Sequence, residues 1–167
     1  YEGSKIKALD HLSLNIRKGK KVAVMGGNGC GKSTFFLCLN GIRRPESGRI
    51  FIDGKPIEYT KKGLLDVRRK VGIVFQNPDE QLFSASVYEE ISFGILNMGA
   101  DEETAEKAVR QIIEELGLSA FQEEPTHALS GGQKKQVAIA DILVMHPEVM
   151  ILDEPAAALD MKHTKKV

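Results

Sequence analysis

The residues best suited to chemistry stand in a glycine-rich segment, 26-GGNGCGKST-34. Its pattern of glycine, four residues, glycine, lysine and serine is that of a phosphate-binding loop, which requires a strand before it and a helix after it. Glycines let backbone N–H groups converge on phosphate oxygens, and the helix N-terminus favours negative charge. We predict that a nucleoside triphosphate is bound by Gly26, Gly27, Asn28, Gly29, Cys30, Gly31, Lys32, Ser33 and Thr34.

Within this loop two side chains have predicted roles of their own. Lys32 is predicted to reach the β and γ phosphates, and the hydroxyl of Ser33 to ligate Mg²⁺. Cys30 stands where such loops often hold a small residue, and we predict that its side chain packs there. A thiol open to modification, which would block the site, is the alternative role for Cys30.

A second candidate site lies where the apolar run 149-VMIL-152 ends in two acids. A carboxylate at the end of a buried strand is suited to hold the Mg²⁺ shell, so Asp153 is a predicted metal ligand. Glu154 is suited to polarise a water molecule for attack on the γ phosphate, a role that contributes about 10²–10⁴-fold in rate. The two acids therefore predict hydrolysis of the bound nucleotide.

The segment 129-LSGGQKKQ-136 is another glycine-rich loop directly before a predicted helix. It places a hydroxyl and backbone donors at a helix N-terminus, which is an anion site. The predicted nucleotide contacts are Ser130, Gly131, Gly132 and Gln133. Because the chain has a single lysine-bearing phosphate loop, we hypothesise that two chains face each other head to tail. Each would close the site of the other, in a dimer with two-fold symmetry.

The elements that must position these loops follow from hydrophobic periodicity. Strands are predicted in residues 1–16, with a hairpin at 17–20, and at 22–25, 49–52, 71–75 and 149–152. Helices are predicted at 33–41, 101–116 and 132–145. This alternation indicates a single α/β domain over residues 1–167, with a helical subdomain inserted at approximately 76–130.

Composition narrows the classes of function. The 167 residues carry 23 basic and 23 acidic side chains, so no broad positive field recruits nucleic acid, and no nucleic-acid partner is predicted. No apolar run approaches the roughly 20 residues that span a bilayer, so a membrane role requires a partner. Cys30 and Cys38 lack metal or disulfide spacing, which favours a reducing cytosol.

Together these motifs resemble the nucleotide-binding domain of ATP-binding cassette (ABC) proteins. The phosphate loop, 129-LSGGQ-133, 151-ILDEP-155 and 159-LD-160 stand in that family's order. The resemblance covers essentially the whole chain. It implies a P-loop NTPase fold with an ABC-type helical subdomain and an N-terminal antiparallel β subdomain. It also implies an ATPase that uses ATP and Mg²⁺.

The same resemblance implies further residue roles and partners. Gln76 is expected to contact Mg²⁺ and the attacking water, Asp160 to lie at the dimer interface, and Tyr1 to stack on adenine. The expected partners are a second cassette subunit, identical or different, and a transmembrane subunit. The protein would then lie at the cytoplasmic face of the membrane as a peripheral subunit.

Within the family, two segments look most like the ATPases of cobalt, nickel and vitamin importers of the energy-coupling-factor type. They are 75-FQNPDEQLFSASVYEEISFG-94 and 125-PTHALSGGQKKQVAIA-140. In such systems the segment after the glutamine contacts a coupling helix of the membrane subunit. The positions that depart from the family pattern are Gln136, Asp141, Ala156 and Ala158.

The unusual residues Ala156 and Ala158, and the absence of the expected switch histidine, lower the ATPase activity that we expect of this sequence. The two alanines border the dimer interface, so coupling or turnover could be reduced. The family's switch histidine is expected beyond Val167, and His163 is not in its place. The sequence is expected to be truncated at both ends, to hold Mg-ATP and to hydrolyse it poorly.

Three other functions fit parts of the sequence. A phosphate-loop kinase could use Lys32 and Ser33, but it would have no use for 129-LSGGQ-133. A cassette ATPase acting on DNA or ribosomes is disfavoured by the neutral net charge and by the segment after Gln76. A non-catalytic docking module is suggested by the unusual alanines.

Overall fold

The computed structural model describes residues 7–154. No helix within this range is long and apolar enough to cross a bilayer. Single-turn 3₁₀ helices occur at Pro78–Glu80, Ser119–Phe121 and Thr126–Ala128. The longer elements are α1 Lys32–Leu39, β1 Phe51–Ile52, β2 Lys55–Pro56, α2 Lys61–Lys70, β3 Val71–Val74, α3 Val87–Asn97, α4 Glu102–Leu116, α5 Gly131–Leu143 and β4 Val149–Leu152.

Two strand pairs organise the described residues. β3 and β4 are parallel, with Val71 opposite Val149 and Val74 opposite Leu152. Strands β1 and β2 form a short antiparallel hairpin. Because parallel strands end at the same edge of a sheet, the residues after β3 and β4 are brought side by side. The predicted α/β architecture is confirmed.

The predicted helix at 101–116 is confirmed, because every local signal agrees. The carboxylate of Asp101 accepts a hydrogen bond from the Thr104 N–H at 2.9 Å and caps the first turn of α4. Gly117 ends the helix in a left-handed conformation, with φ of 70°. The buried face comprises Ala105, Val109, Ile112 and Ile113.

Helix α5 lies between two apolar cores. One face contributes Val137, Ala140 and Val144 to the main core, which it shares with α3 and α4. Its other face places Ala138, Ile139 and Ile142 against Val74 of β3. The position of α5 is therefore fixed by packing on both the helices and the sheet.

Helices α2 and α3 were not individually predicted, although each carries a capping signal. The side chain of Thr60 accepts a hydrogen bond from the Gly63 N–H at the start of α2. The hydroxyl of Ser86 accepts one from the Glu89 N–H at the start of α3. Such capping residues mark helix N-termini in sequence.

The strands predicted in the first 25 residues are wrong for the part of the chain from residue 7 onward. Residues 7–30 contain no strand, and Val22 and Met25 are exposed. A strand persists only where a neighbour supplies hydrogen-bond partners, and no other described strand pairs with this segment. The antiparallel pair is instead β1–β2, which follows the phosphate loop.

Candidate functional site

The predicted phosphate loop turns into α1 through glycines in the left-handed region. Gly29 has φ of 78° and Gly31 has φ of 99°, conformations that glycine adopts without strain. A Cβ added at Gly31 would lie 2.2 Å from the carbonyl oxygen of Ala8. Any other residue at position 31 would displace that neighbouring segment. The helix predicted after the loop is confirmed, and α1 starts at Lys32, whereas the strand predicted before the loop at 22–25 does not occur in the described residues.

Lys32 folds over the loop that it is predicted to serve. Its Nζ donates to the carbonyl oxygens of Gly26, at 2.9 Å, and Gly27, at 3.2 Å. An ammonium group has three donors, so one remains to meet a phosphate oxygen. Cys30 is exposed, and its Sγ lies beside Gly26, where an added Cβ would come 2.6 Å from it.

The first turn of α1 carries the other predicted ligands of this loop. Ser33 is exposed and Thr34 is half-buried. Asn28 is exposed beside the glycines. The N-terminus of α1, where Gly31 is the N-cap and no side chain caps the helix, lies where these side chains begin.

The second predicted anion site forms the N-terminus of α5, one residue earlier than expected. The Ser130 N–H donates to Gln133 Oε1 at 2.8 Å, and the Gln133 N–H donates to Ser130 Oγ at 3.4 Å. This reciprocal pair is a capping box, which holds both side chains in place. Gly131 is exposed, and a Cβ added there would meet nothing within 4 Å. An anion could thus approach Gly131 and its neighbour Gly132 from outside.

The carboxyl ends of β3 and β4 carry the predicted catalytic and metal-binding side chains. Asp153 is buried, at 6% exposure, and its N–H donates to the Val74 carbonyl oxygen at 3.0 Å. The amide of Gln76 donates to Glu154 Oε2 at 2.7 Å. The structure thus joins Gln76 to Glu154, which stand 78 positions apart in sequence.

Glu154 has an unusual backbone conformation. Its φ is 48°, in the left-handed region that residues other than glycine seldom adopt. Its side chain is exposed, and His11, Asp53 and His146 share this left-handed backbone conformation. Backbone of this kind concentrates at functional sites, where the surrounding structure maintains it.

A buried lysine that was not predicted lies behind these acids. Lys135 of α5 is 0% exposed, and its Nζ donates to the carbonyl oxygens of Phe75, at 2.6 Å, and Gln76, at 3.2 Å. Burial lowers the pKa of Lys135, whereas the carboxylates of Asp153 and Glu154 oppose that shift. Its spacing of three and four residues from Ala138 and Ile139 places it on the buried face of α5, a signal that the sequence contained.

A second unpredicted contact ties the segment after Gln76 to α5. Gln81 Nε2 donates to the Ala138 carbonyl oxygen at 2.9 Å and to Asp141 Oδ2 at 3.0 Å. Burial raises the pKa of Asp141 to about 7; the Gln81 hydrogen bond lowers it and the nearby Glu90 carboxylate raises it further. The side chain of Asp141 also lies close to Gly94, where a Cβ would come 3.3 Å from Oδ1.

The raised pKa of Asp141 predicts a pH dependence of folding. Its ordinary value is 3.8 and its folded value about 7, so the folded state binds the proton more tightly. This contribution to stability is fully present below pH 4 and is lost as pH rises to about 7, at about 1.4 kcal/mol per pKa unit. The free energy of unfolding, measured in urea, should therefore change less between pH 4 and 7 in Asp141→Asn than in wild type. Asp66→Asn, at an exposed site on α2, is the matched control. An unchanged slope in Asp141→Asn would contradict the assignment.

The site residues thus form three groups in the described range. Lys32 contacts the phosphate loop, Ser130 contacts Gln133, and Gln76 contacts Glu154. The phosphate loop and the Ser130 cap lie at the N-termini of different helices, α1 and α5. The predicted roles of these residues in binding and catalysis remain predictions. Tyr1, Asp160, Ala156, Ala158 and His163 lie outside the described residues.

Comparison with known proteins shows where this arrangement belongs. A family model described as ABC transporter matches residues 9–157. Energy-coupling factor transporter ATP-binding protein EcfA3 of Clostridium perfringens is 53% identical over 153 residues, 92% of this chain and 54% of that protein. Cobalt import ATP-binding protein CbiO of Rhodobacter capsulatus is 48% identical over 162 residues, 97% of this chain and 58% of that protein.

A solved structure agrees with the sequence comparisons. The dimeric, post-hydrolysis ATP-binding cassette MJ0796 bound to ADP and Pi matches with a TM-score of 0.87 and 30% identity. The match covers 95% of this chain and 71% of that one. This chain spans only a little over half the length of the two curated relatives. The family model nevertheless matches nearly all of it, and the resemblance inferred from the motifs is confirmed: the chain belongs to the ABC transporter family, as an ATP-binding cassette.

Proposed function

We propose that this chain is the ATP-binding and ATP-hydrolysing part of an ABC importer of the energy-coupling-factor type, which carries cobalt or nickel ions or a vitamin. The observation that carries the hydrolytic part is the 2.7 Å contact between Gln76 and Glu154 beside buried Asp153. The importer type is supported by the names of the relatives, which concern energy-coupling-factor transport and cobalt import. Residues 1–167 would form one ATP-binding domain, and approximately 76–130 its helical subdomain.

In this proposal the nucleotide binds along the N-terminus of α1. Backbone N–H groups of the loop and the positive end of the helix bind the phosphates. Lys32 supplies a positive charge from within the loop, where two carbonyl groups already orient its ammonium. Its remaining donor can form a hydrogen bond with a phosphate oxygen, which the two opposite charges strengthen.

Hydrolysis would use the exposed carboxylate of Glu154 as general base. The Gln76 amide donates to Oε2 and so restricts rotation of that carboxylate. The other oxygen can accept a proton from a water molecule that attacks the γ phosphate. Gln76 thereby positions the base and lies where it can also contact the water.

The residues present fit a Mg²⁺ ion. This ion is commonly bound through one or two carboxylates together with substrate phosphates, and it retains several waters. Asp153 offers one carboxylate, nearly buried at the end of β4, with the Gln76 amide on the neighbouring strand end. Ser33 offers a hydroxyl in the first turn of α1. When bound, the ion would offset the negative charge of the phosphates.

A second subunit would complete the site. The open space at Gly131 and the rigid cap of Ser130 suit the N-terminus of α5 to receive the γ phosphate of a nucleotide bound by a partner. Only a triphosphate would complete both contacts, so it would favour the closed pair over the open pair. Loss of the γ phosphate would remove that preference. The dimeric form of the similar cassette structure supports this arrangement.

The membrane subunit would dock on an exposed aromatic pair. Phe83 and Phe93 are 66% and 49% exposed, and their rings meet edge to face with centroids 4.9 Å apart. The loop that carries Phe83 is held firmly, because buried Glu90 accepts hydrogen bonds from the Phe83 and Ser84 N–H groups. A rigid apolar pair on the surface is suited to an interface. Through this contact the protein would lie at the cytoplasmic face of the membrane.

The full-length protein with its membrane subunit tests the proposal. ATP hydrolysis should be measured with and without that subunit in wild type and in Phe83→Ser/Phe93→Ser. Stimulation by the subunit should fall by about 10-fold or more in the double variant, because truncation of buried aromatic anchors commonly costs at least about 2 kcal/mol. Phe51→Ser, at a 55% exposed position on β1, should keep the wild-type response. ATP binding without any turnover would instead support a docking module.

A further inference from the structure

Lys135 is a charged side chain without access to water. It is 0% exposed, and it is the largest of the fully buried side chains in the described range. Burial of an ammonium group is costly unless its donors are satisfied. A methionine would fill a similar space without that cost. The charge therefore calls for an explanation beyond packing.

The ammonium of Lys135 connects two parts of the proposed site. Two of its donors bind the carbonyl oxygens of Phe75 and Gln76, at the end of β3. It also interacts electrostatically with Asp153 and Glu154, at the end of β4. On its own helix, Lys135 lies two positions after Gln133, whose side chain closes the capping box with Ser130.

Helix α5, which carries both the capping box and Lys135, is held in place by close packing. Val137, Ala138 and Ala140, which follow Lys135 on α5, are each 0% exposed. Close-packed interiors shift as units and transmit strain. The capping box and the Gln76 carbonyl are therefore joined through α5 and the side chain of Lys135.

We propose that Lys135 is a positioning residue that couples the loop 129–133 to the Gln76–Glu154 pair of the same subunit. This inference rests on the proposed ATPase function. When a partner's nucleotide engages the N-terminus of α5, the buried ammonium fixes the Gln76 carbonyl relative to that helix. The amide of Gln76 then holds Glu154 in place for the attack of water. Binding in one site would thereby prepare the hydrolytic carboxylate at the other.

A double-mutant cycle on the full-length protein tests this coupling. Lys135→Met, Gln76→Ala and the double variant are compared by kcat for ATP and by the dissociation constant of a fluorescent ATP analogue. Lys135→Met should lower kcat by about 10-fold or more and leave nucleotide affinity within about 2-fold, because the lost interaction orients the catalytic pair. The double variant should be no slower than Gln76→Ala alone, because both act through one group. Lys107→Met, at an exposed lysine on α4, should retain wild-type kcat.

Two results would overturn this inference and leave the proposed function intact. One is an unchanged kcat in Lys135→Met. The other is a double variant in which the separate fold-losses in kcat multiply. If Lys135 had only a structural role, the effects of replacing Lys135 and Gln76 would be independent, and their fold-losses in kcat would multiply. Absence of hydrolysis by the unmodified protein would overturn the proposed function and this inference together. Thermal unfolding checks that each variant is folded, and Lys135→Gln replaces Lys135→Met in the cycle if the latter does not fold.

A second measurement needs no variant. Hydrogen exchange of the unmodified full-length protein is followed with and without a non-hydrolysable ATP analogue. Amides in residues 75–77 and 133–136 should gain protection together, because Lys135 joins their backbones. Protection of one segment without the other would contradict the coupling.

Discussion

Glu154→Gln is expected to lower ATP turnover by about 10²–10⁴-fold, the usual contribution of a general base. The amide cannot accept the proton of the attacking water, but it has the same shape as the carboxylate. Its oxygen can still accept the hydrogen bond from Gln76 that the structure shows at 2.7 Å. ATP affinity should therefore stay within about 2-fold of wild type. Phosphate release and fluorescent-nucleotide titration measure the two quantities.

The control for this variant is Glu115→Gln on α4. Glu115 is likewise exposed and accepts a hydrogen bond from a glutamine amide, that of Gln111 at 2.7 Å. It therefore matches the change in charge and the local contact, away from the proposed site. Turnover by Glu115→Gln should equal that of wild type. Comparable turnover by Glu154→Gln and wild type would remove Glu154 from the mechanism.

Lys32→Ala is expected to weaken ATP binding by about 10–100-fold or more, since each hydrogen bond to a charged group contributes about 1.5–3 kcal/mol. The structure adds a second reason. The ammonium also holds the carbonyl groups of Gly26 and Gly27, so its removal loosens the loop as well as removing a charge. Turnover should be lost along with binding.

The measurement for this variant is a titration with a fluorescent ATP analogue. Lys20→Ala, at an exposed lysine in the turn before the loop, should bind like wild type. Equal affinity of Lys32→Ala and wild type would show that the nucleotide binds elsewhere. Lys32→Ala and Glu154→Gln thus separate nucleotide binding from hydrolysis. Lys32 is needed for both, whereas Glu154 is needed for hydrolysis alone.

The predictable parts of the molecule are those where short-range signals agree. The cap at Asp101, the apolar face and the final Gly117 define α4 from local sequence alone. The acids after the run 149–152 are also predictable from local sequence, because an apolar strand ends where the charged residues begin, although within that strand only Ile151 is buried. Parallel pairing of β3 and β4 brings Gln76 beside Glu154, a contact that the sequence analysis does not predict.

Other features depend on contacts that are distant in sequence. Lys135 and Phe75 are 60 positions apart, so the burial of that lysine follows from how α5 packs on the sheet. Asp141 and its partner Gln81 are likewise 60 positions apart. The run 22–25 has the composition of a strand, yet pairing requires a neighbour that local composition does not supply.

In the proposed cycle a triphosphate holds two subunits together and a diphosphate does not. Light scattering of full-length Glu154→Gln, alone and mixed with a second cassette subunit, tests it with Mg-ATP and with Mg-ADP. The variant should form a dimer in Mg-ATP and dissociate in Mg-ADP, because it binds ATP without hydrolysing it. The same mass in both nucleotides, for the protein alone and for the mixture, would show that the γ phosphate does not hold the two subunits together.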